Sequence, residues 1–283
     1  MKHEKFCKRR HEMNSKKGTL ILAVILLLFM GISVAIPARA DEERPSADLS
    51  LSLLSAYIWR GQELSKNSLV IQPSATFSYK GFSANIWANY DTDLYKDIDE
   101  LDNLTETDYT LTYEHDFGMI AAQAGYIYYA LNQADDSQEL FVSATLNTIL
   151  SPTFTIYREF AHYPSTYMTL EISHGFDLPA GITLDMGLLG SAMFSDDSAA
   201  YPDPDDASDE YSGLHHGKAS ISMNIPFTSF IHDPSARYFS ITPEIDWVFP
   251  ISGDGSKDMS NRALGDTHHN NFVYGGATLS LSF

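Results

Sequence analysis

Cysteine is almost absent from this 283-residue chain: the one example, Cys7, lies in a basic stretch at the very start. That excludes a disulfide staple in the body of the protein, and thiol chemistry with it. Basic residues are scarce as well. Lys and Arg number 18 against 37 Asp and Glu, a formal net charge of −19, which speaks against nucleic acid as a partner. Long apolar runs are missing apart from Thr19–Ile36. No Walker or dinucleotide glycine pattern occurs, and nothing in the sequence implies a cofactor. Ser173 precedes His174, and Ser165 lies near His162, but neither pair sits in a hydrolase motif, so the reading is not an enzyme.

The first 40 residues read as a cleavable leader. Lys2, Lys5, Lys8, Arg9, Arg10, Lys16 and Lys17 precede the apolar run, and Ala38-Arg39-Ala40 is an A-x-A cleavage site before Asp41. A retained membrane helix is the alternative. Cys7 lies ahead of the apolar run, which argues against a lipid anchor. Loss of residues 1–40 removes 8 basic and 2 acidic residues and leaves a net charge of −25. The remainder divides into a short periplasmic segment, residues 41–47, and one unit, 48–283.

That unit alternates. Toward its end, Val273, Ala277, Leu279, Leu281 and Phe283 share one parity, and Tyr274, Thr278, Ser280 and Ser282 the other, the period of a strand with one apolar face. Eleven further segments repeat the pattern, from Asp48–Arg60, Leu69–Tyr79 and Phe82–Asp91 to His215–Phe227 and Arg237–Phe249. Connections alternate between short turns, such as Lys80-Gly81, and long acidic loops, such as Asp196–Leu214 and Pro250–Asn270. Aromatics cluster near the predicted strand ends: Tyr79, Phe82, Phe117, Phe176, Phe227 and Phe283 by the turns, Tyr57, Trp59, Tyr90, Trp247 and Phe249 by the loops. The expected fold is an all-β, up-and-down antiparallel transmembrane barrel of about 12 strands in the bacterial outer membrane. The first and last segments would pair at the seam. A soluble secreted β-protein is the competing reading, because periodicity alone does not tell inside from outside.

Leu54-Ser55-Ala56-Tyr57-Ile58-Trp59-Arg60-Gly61 is similar to the opening of the TorF-type porin family, as are Gln72-Pro73 and the hairpin from Gly81-Phe82 to Trp87-Ala88-Asn89. Ala84 and Asn85 depart from the glycine-richer hairpin of that family. The resemblance implies an outer-membrane porin and supplies no substrate. Leu279, Leu281 and Phe283 also resemble the C-terminal signal read by the outer-membrane insertion machinery. Other partners implied are outer-membrane lipid, lipopolysaccharide and small solutes.

By parity, Arg60, Glu114, Asp116, Glu159, Glu171, Asp185, Lys218, Glu244 and Asp246 face the lumen. Such a net-acidic lining would favour cations or neutral solutes in a narrow channel. The acids would instead pair with Arg60, Lys218 and hydroxyls if the interior is plugged. Arg158 falls on the lipid face, which suits a position near a loop or a bulge. No metal site is expected. His215-His216 and His268-His269 are adjacent, and neighbours on a strand point apart. Asp254–Asp258 lacks the later glycine and glutamate of a calcium loop, and Asp203–Glu210 reads as a solvated acidic loop. A barrel with a structural, adhesive or receptor role, acting through its acidic loops, is the alternative to a channel.

Overall fold

The computed structural model describes residues 44–65, 68–92, 103–132, 134–262 and 269–283. The expected leader and His268 lie outside the described residues. Alternation becomes strands β1 (Ser46–Leu54), β2 (Ile58–Trp59), β3 (Gln62–Glu63), β4 (Val70–Tyr79), β5 (Phe82–Asp91), β6 (Leu104–Asp116) and β7 (Ile120–Leu131). There follow β8 (Ser137–Leu146), β9 (Thr153–Glu159), β10 (Ser165–Asp177), β11 (Thr183–Ser195), β12 (Ser212–Pro226), β13 (Phe239–Pro250) and β14 (Phe272–Ser282).

Twelve of these form one closed barrel in up-and-down order, and β2 with β3 forms a separate two-stranded ribbon. Every wall pair is antiparallel, and β14 closes on β1 with Leu49 opposite Leu281 and Ser52 opposite Thr278. Closure leaves no edge strand, so the backbone polar groups of the wall are paired within it. The chain ends reinforce the seam: Ala47 and Phe283 exchange both backbone hydrogen bonds, at 2.8 and 3.0 Å.

The apolar parity points outward. Phe77 is 55% exposed, Leu111 60% and Val273 69%, and each of the other wall strands also carries at least one exposed apolar side chain. A soluble barrel would bury these residues; an exterior of this kind is the surface a bilayer solvates. Phe82, Phe117, Phe176 and Phe283 stand exposed at the short-turn end. Arg158, the charge on this outer face, lies one residue from the loop end of β9 and pairs with Asp196 at 2.5 Å.

Three features depart from the alternation pattern. The first wall strand stops at Leu54 instead of continuing to Arg60. Ser55 bonds Gly275 of β14 through its backbone N–H (2.9 Å) and accepts the N–H of Gly275 on its hydroxyl (3.1 Å), and the chain then turns into the barrel. Tyr57 and Trp59, expected in the outer girdle, therefore lie inside: Tyr57 is buried with Leu54 and Val70, and Trp59 and Trp87 pack on that cluster. The described part of the loop after β13 is largely helical. Its acidic stretch is part of helix α1 (Gly253–Arg262), whose Met259 is buried against Val248 and Phe272 of the wall and packs with Ile58 of the inward ribbon. Asp254–Asp258 is thus helical rather than a calcium-loop turn. Lastly, β12 bulges opposite Ser191 of β11, where the register jumps from Gly190↔Gly217 to Ala192↔Leu214. Two residues then oppose one, and His215 and His216 both turn into the buried interior instead of pointing apart.

Candidate functional site

The lumen has two unlike halves. Toward the short turns its lining is small and hydroxylated, with Ser50, Ser52, Ser74, Thr76, Thr110 and Thr112 on inward positions. Toward the long loops it is filled by the β2–β3 ribbon and covered by α1.

The ribbon turns at Arg60-Gly61, where φ is 50° and 79°. A two-residue hairpin turn of this hand needs positive φ at both positions, which Gly tolerates and Arg does so only with strain. Gly61 also allows close approach, because a Cβ there would meet the His216 ring at 3.0 Å. Arg60 is held from the opposite wall. Its two terminal nitrogens each donate to an oxygen of Glu139 on β8 at 2.7 Å. The guanidinium lies 4.6 Å from the Trp59 ring centre, 5.0 Å from Tyr157 and 4.3 Å from Tyr167. Side-chain exposure is 11% for Arg60 and 1% for Glu139, so the pair is sequestered from solvent. Glu139 also accepts the Tyr129 hydroxyl at 2.7 Å, and Glu106 accepts that of Tyr57 at 3.0 Å. The ribbon is thus latched across the lumen by a bidentate ion pair set among aromatic faces.

On its other side the ribbon meets the bulge. His215 and His216 approach through their Nδ1 atoms at 2.9 Å, and His216 Nδ1 lies 2.9 Å from the Ser191 hydroxyl. His215 Nε2 stands 3.0 Å from Asp258 of α1, and Asp258 accepts a second bond from Arg262 at 2.8 Å. Burial alone would raise the Asp258 carboxyl, but the His215 hydrogen bond and the Arg262 charge outweigh it and hold its pKa below the ordinary value.

The expected lumen charges fall into separate places. Arg60 is not on the wall; it forms the latch. Glu159 is 3% exposed, and its carboxylate receives Ser137 and the backbone N–H groups of Ala161, His162 and Tyr163, so it anchors the loop after β9. Asp116 caps the short turn through Gly118 N at 2.6 Å, and Glu114 lies nearby, with Lys80 and Arg44, around a cavity of about 410 Å³ at the short-turn mouth. Glu171, Asp185, Lys218, Glu244 and Asp246 lie on inward positions of β10 to β13, where Lys218 Nζ is 3.9 Å from Asp246. Leu279 and Leu281 lie on β14 facing Ile241 and Phe239 of β13, with Phe283 at the chain end.

Glu106, Asp108 and Glu139 are inward carboxylates outside the expected set. The signal for them was present, since Glu106 and Asp108 share the parity of Glu114, and Glu139 opposes the outward Leu140. A cavity of about 410 Å³ lies beside the latch, lined by Tyr57, Trp59, Arg60, Glu106, Tyr129, Glu139, Tyr163 and Tyr201 among others. Among the described residues no cluster of His, Cys, Asp and Glu has a metal-holding arrangement.

No protein-family model matches the chain, and no curated protein matches it in sequence. Solved structures do resemble it. The NanC porin aligns with a TM-score of 0.50 at 8% identity, over 84% of this chain and 98% of that one. The KdgM porin, solved with disordered oligogalacturonate, aligns at 0.46 and 8% identity over 84% and 99%. The COG4313 outer membrane channel of Pseudomonas putida F1 aligns at 0.40 and 7% identity over 89% and 100%. At these identities the likeness to NanC is one of fold, and that fold is a closed, 12-stranded outer-membrane barrel.

Proposed function

We propose that this protein is a porin-like channel of the bacterial outer membrane for passive diffusion of small solutes, favouring cations or neutral solutes. The observation that carries this reading is the inward face of β10 to β13, on which Glu171, Asp185, Glu244 and Asp246 outnumber Lys218. A ring of carboxylates raises the local concentration of cations and opposes anions. The latched ribbon then forms the constriction at the loop end. The termini and short turns would face the periplasm, with lipid and lipopolysaccharide around the apolar exterior. Membership of the TorF-type porins is carried by Leu54–Gly61, the stretch that builds the inward turn.

The test is single-channel conductance of the refolded chain in planar bilayers, with reversal potentials across a salt gradient. Discrete steps with cation preference are expected. A folded, inserted barrel that stays silent at all voltages would rule the channel out.

The latch itself favours a second reading, a non-conducting barrel acting through its acidic loops. Substituting Arg60 separates the two: a channel gains conductance, whereas a solid plug stays closed.

A further inference from the structure

The charged groups on the wall of the cavity beside the latch are answered by the protein itself. Arg60 takes both oxygens of Glu139. Glu159 accepts the Ser137 hydroxyl and backbone N–H groups of the loop after β9. Glu106 is bonded to the Tyr57 hydroxyl and to Asp108. Arg262 donates to Asp258 and to the Ala200 carbonyl. The lining therefore leaves no charge for an ion of either sign to neutralise.

Neutral polar groups are left over instead. Gln62 opens β3 of the ribbon, Ser165 opens β10, and Tyr201 stands in the loop after β11. They are 9%, 3% and 8% exposed, and all three line the cavity. Among the described residues, the Gln62 amide and the Ser165 and Tyr201 hydroxyls have no hydrogen-bond partner. Unlike the sealed Asp108 Oδ1, these groups keep surface toward the space they line. A fold pairs nearly all of its buried polar groups, so three left over on separate elements around one cavity call for a partner from outside.

We propose that this cavity binds a neutral monosaccharide unit, with its hydroxyls on Gln62, Ser165 and Tyr201 and a C–H face against the rings of Trp59 and Tyr129. A sugar carries hydroxyls around its rim, each able to donate and accept, and an amide and two hydroxyls match them without charge. Its C–H faces suit ring surface, which Tyr57, Trp59, Tyr129 and Tyr163 supply. A volume of about 410 Å³ admits a molecule of this size. An apolar ligand would leave the three polar groups unpaired, and an ion would lose its water with no free counter-charge to receive it. The inference deepens the channel reading by naming a class of neutral solute and rests on it for the solute's route; binding itself requires only the folded barrel.

The test is calorimetric titration of the refolded barrel with the methyl glycosides of glucose, galactose and mannose, and with gluconate and glucosamine as charged counterparts. Saturable binding is expected for at least one glycoside, tighter than for either charged sugar. Gln62→Leu and Tyr201→Phe should each weaken it by about fivefold. Both should leave the unfolding temperature unchanged, because the protein gives those groups no partner. Ser165→Ala keeps the site testable if either variant fails to fold, and Asp206→Asn in an exposed loop should alter nothing. No saturation by any glycoside would show a cavity that holds water alone and would overturn the proposal. Full affinity in all three site variants, or tighter binding of gluconate or glucosamine, would overturn it equally. Conductance recorded on the same preparation distinguishes the two readings. Channels without sugar binding sink the site alone, and binding without channels sinks the channel alone.

Discussion

Arg60 and Glu139, 79 residues apart in sequence, meet as a two-pronged ion pair with both contacts at 2.7 Å inside a membrane barrel. Arg60 is the ribbon's ionic tie to β8, beside the Tyr57–Glu106 hydrogen bond and the packing of Ile58 on Met259. Removing one member of a buried pair leaves the other charge uncompensated, at a cost of about 3–5 kcal/mol.

Arg60→Ala should therefore release the ribbon from β8. The expected outcome is a larger single-channel conductance together with a lower unfolding temperature. Arg60→Lys retains the charge but loses the planar fork, and should fall between Ala and the parent in both measurements.

Lumen selectivity should follow the inward charges of β10 to β13. Asp246→Asn removes an acid and leaves Lys218 without its partner at 3.9 Å, so its reversal potential should move further toward anions than that of Asp185→Asn. Lys218→Met should move it the opposite way. Equal shifts for the two aspartates would show that Lys218 does not face the conducting path.

Docking of α1 should be acid-sensitive. The Asp258 carboxyl is held below its ordinary 3.8 in the folded state, so protons bind the undocked form more readily. The associated stability is present above that ordinary value and is lost as pH falls through the lower, folded value. Hydrogen exchange over 253–262 should accelerate at that pH while the barrel wall remains protected. Asp258→Asn should accelerate it at neutral pH and flatten the dependence.

Gly276 should tolerate no side chain. A Cβ there would lie 1.9 Å from the Leu53 carbonyl oxygen across the seam. Gly276→Ala is expected to lower the yield of folded barrel, read as the heat-shifted band on a gel, whereas Gly213→Ala meets open space and should leave it intact.

The wall was legible because each strand has two different faces, and a period of two survives in sequence whatever the strand's partner. The ribbon was hidden for the same reason. Tyr57 and Trp59 continue the parity of Leu49, Leu51 and Leu53, and nothing local marks Ser55 as the point of departure; that is set by its bonds to Gly275. The His215–His216 pair was misjudged because a bulge is a relation between two strands, and no feature of β12 alone records that Ser191 faces two residues. Glu106, Asp108 and Glu139 were readable from parity. Their grouping was not, since it depends on which strands become neighbours around the ring.

The seam has a consequence for how this fold is reached. Ser52 and Thr278 share a hydrogen bond at 2.8 Å across 226 residues, and the strand that completes the ring is the last wall strand in chain order. No shorter nascent chain possesses the finished wall. Until β14 arrives, β1 and the newest strand both carry unpaired amides and carbonyls, and the apolar stripes have no common surface to occupy. Contacts of such range make folding slow and leave the growing chain open to aggregation. Closure of the wall thus depends on β14, which supplies the partner of β1 on that side.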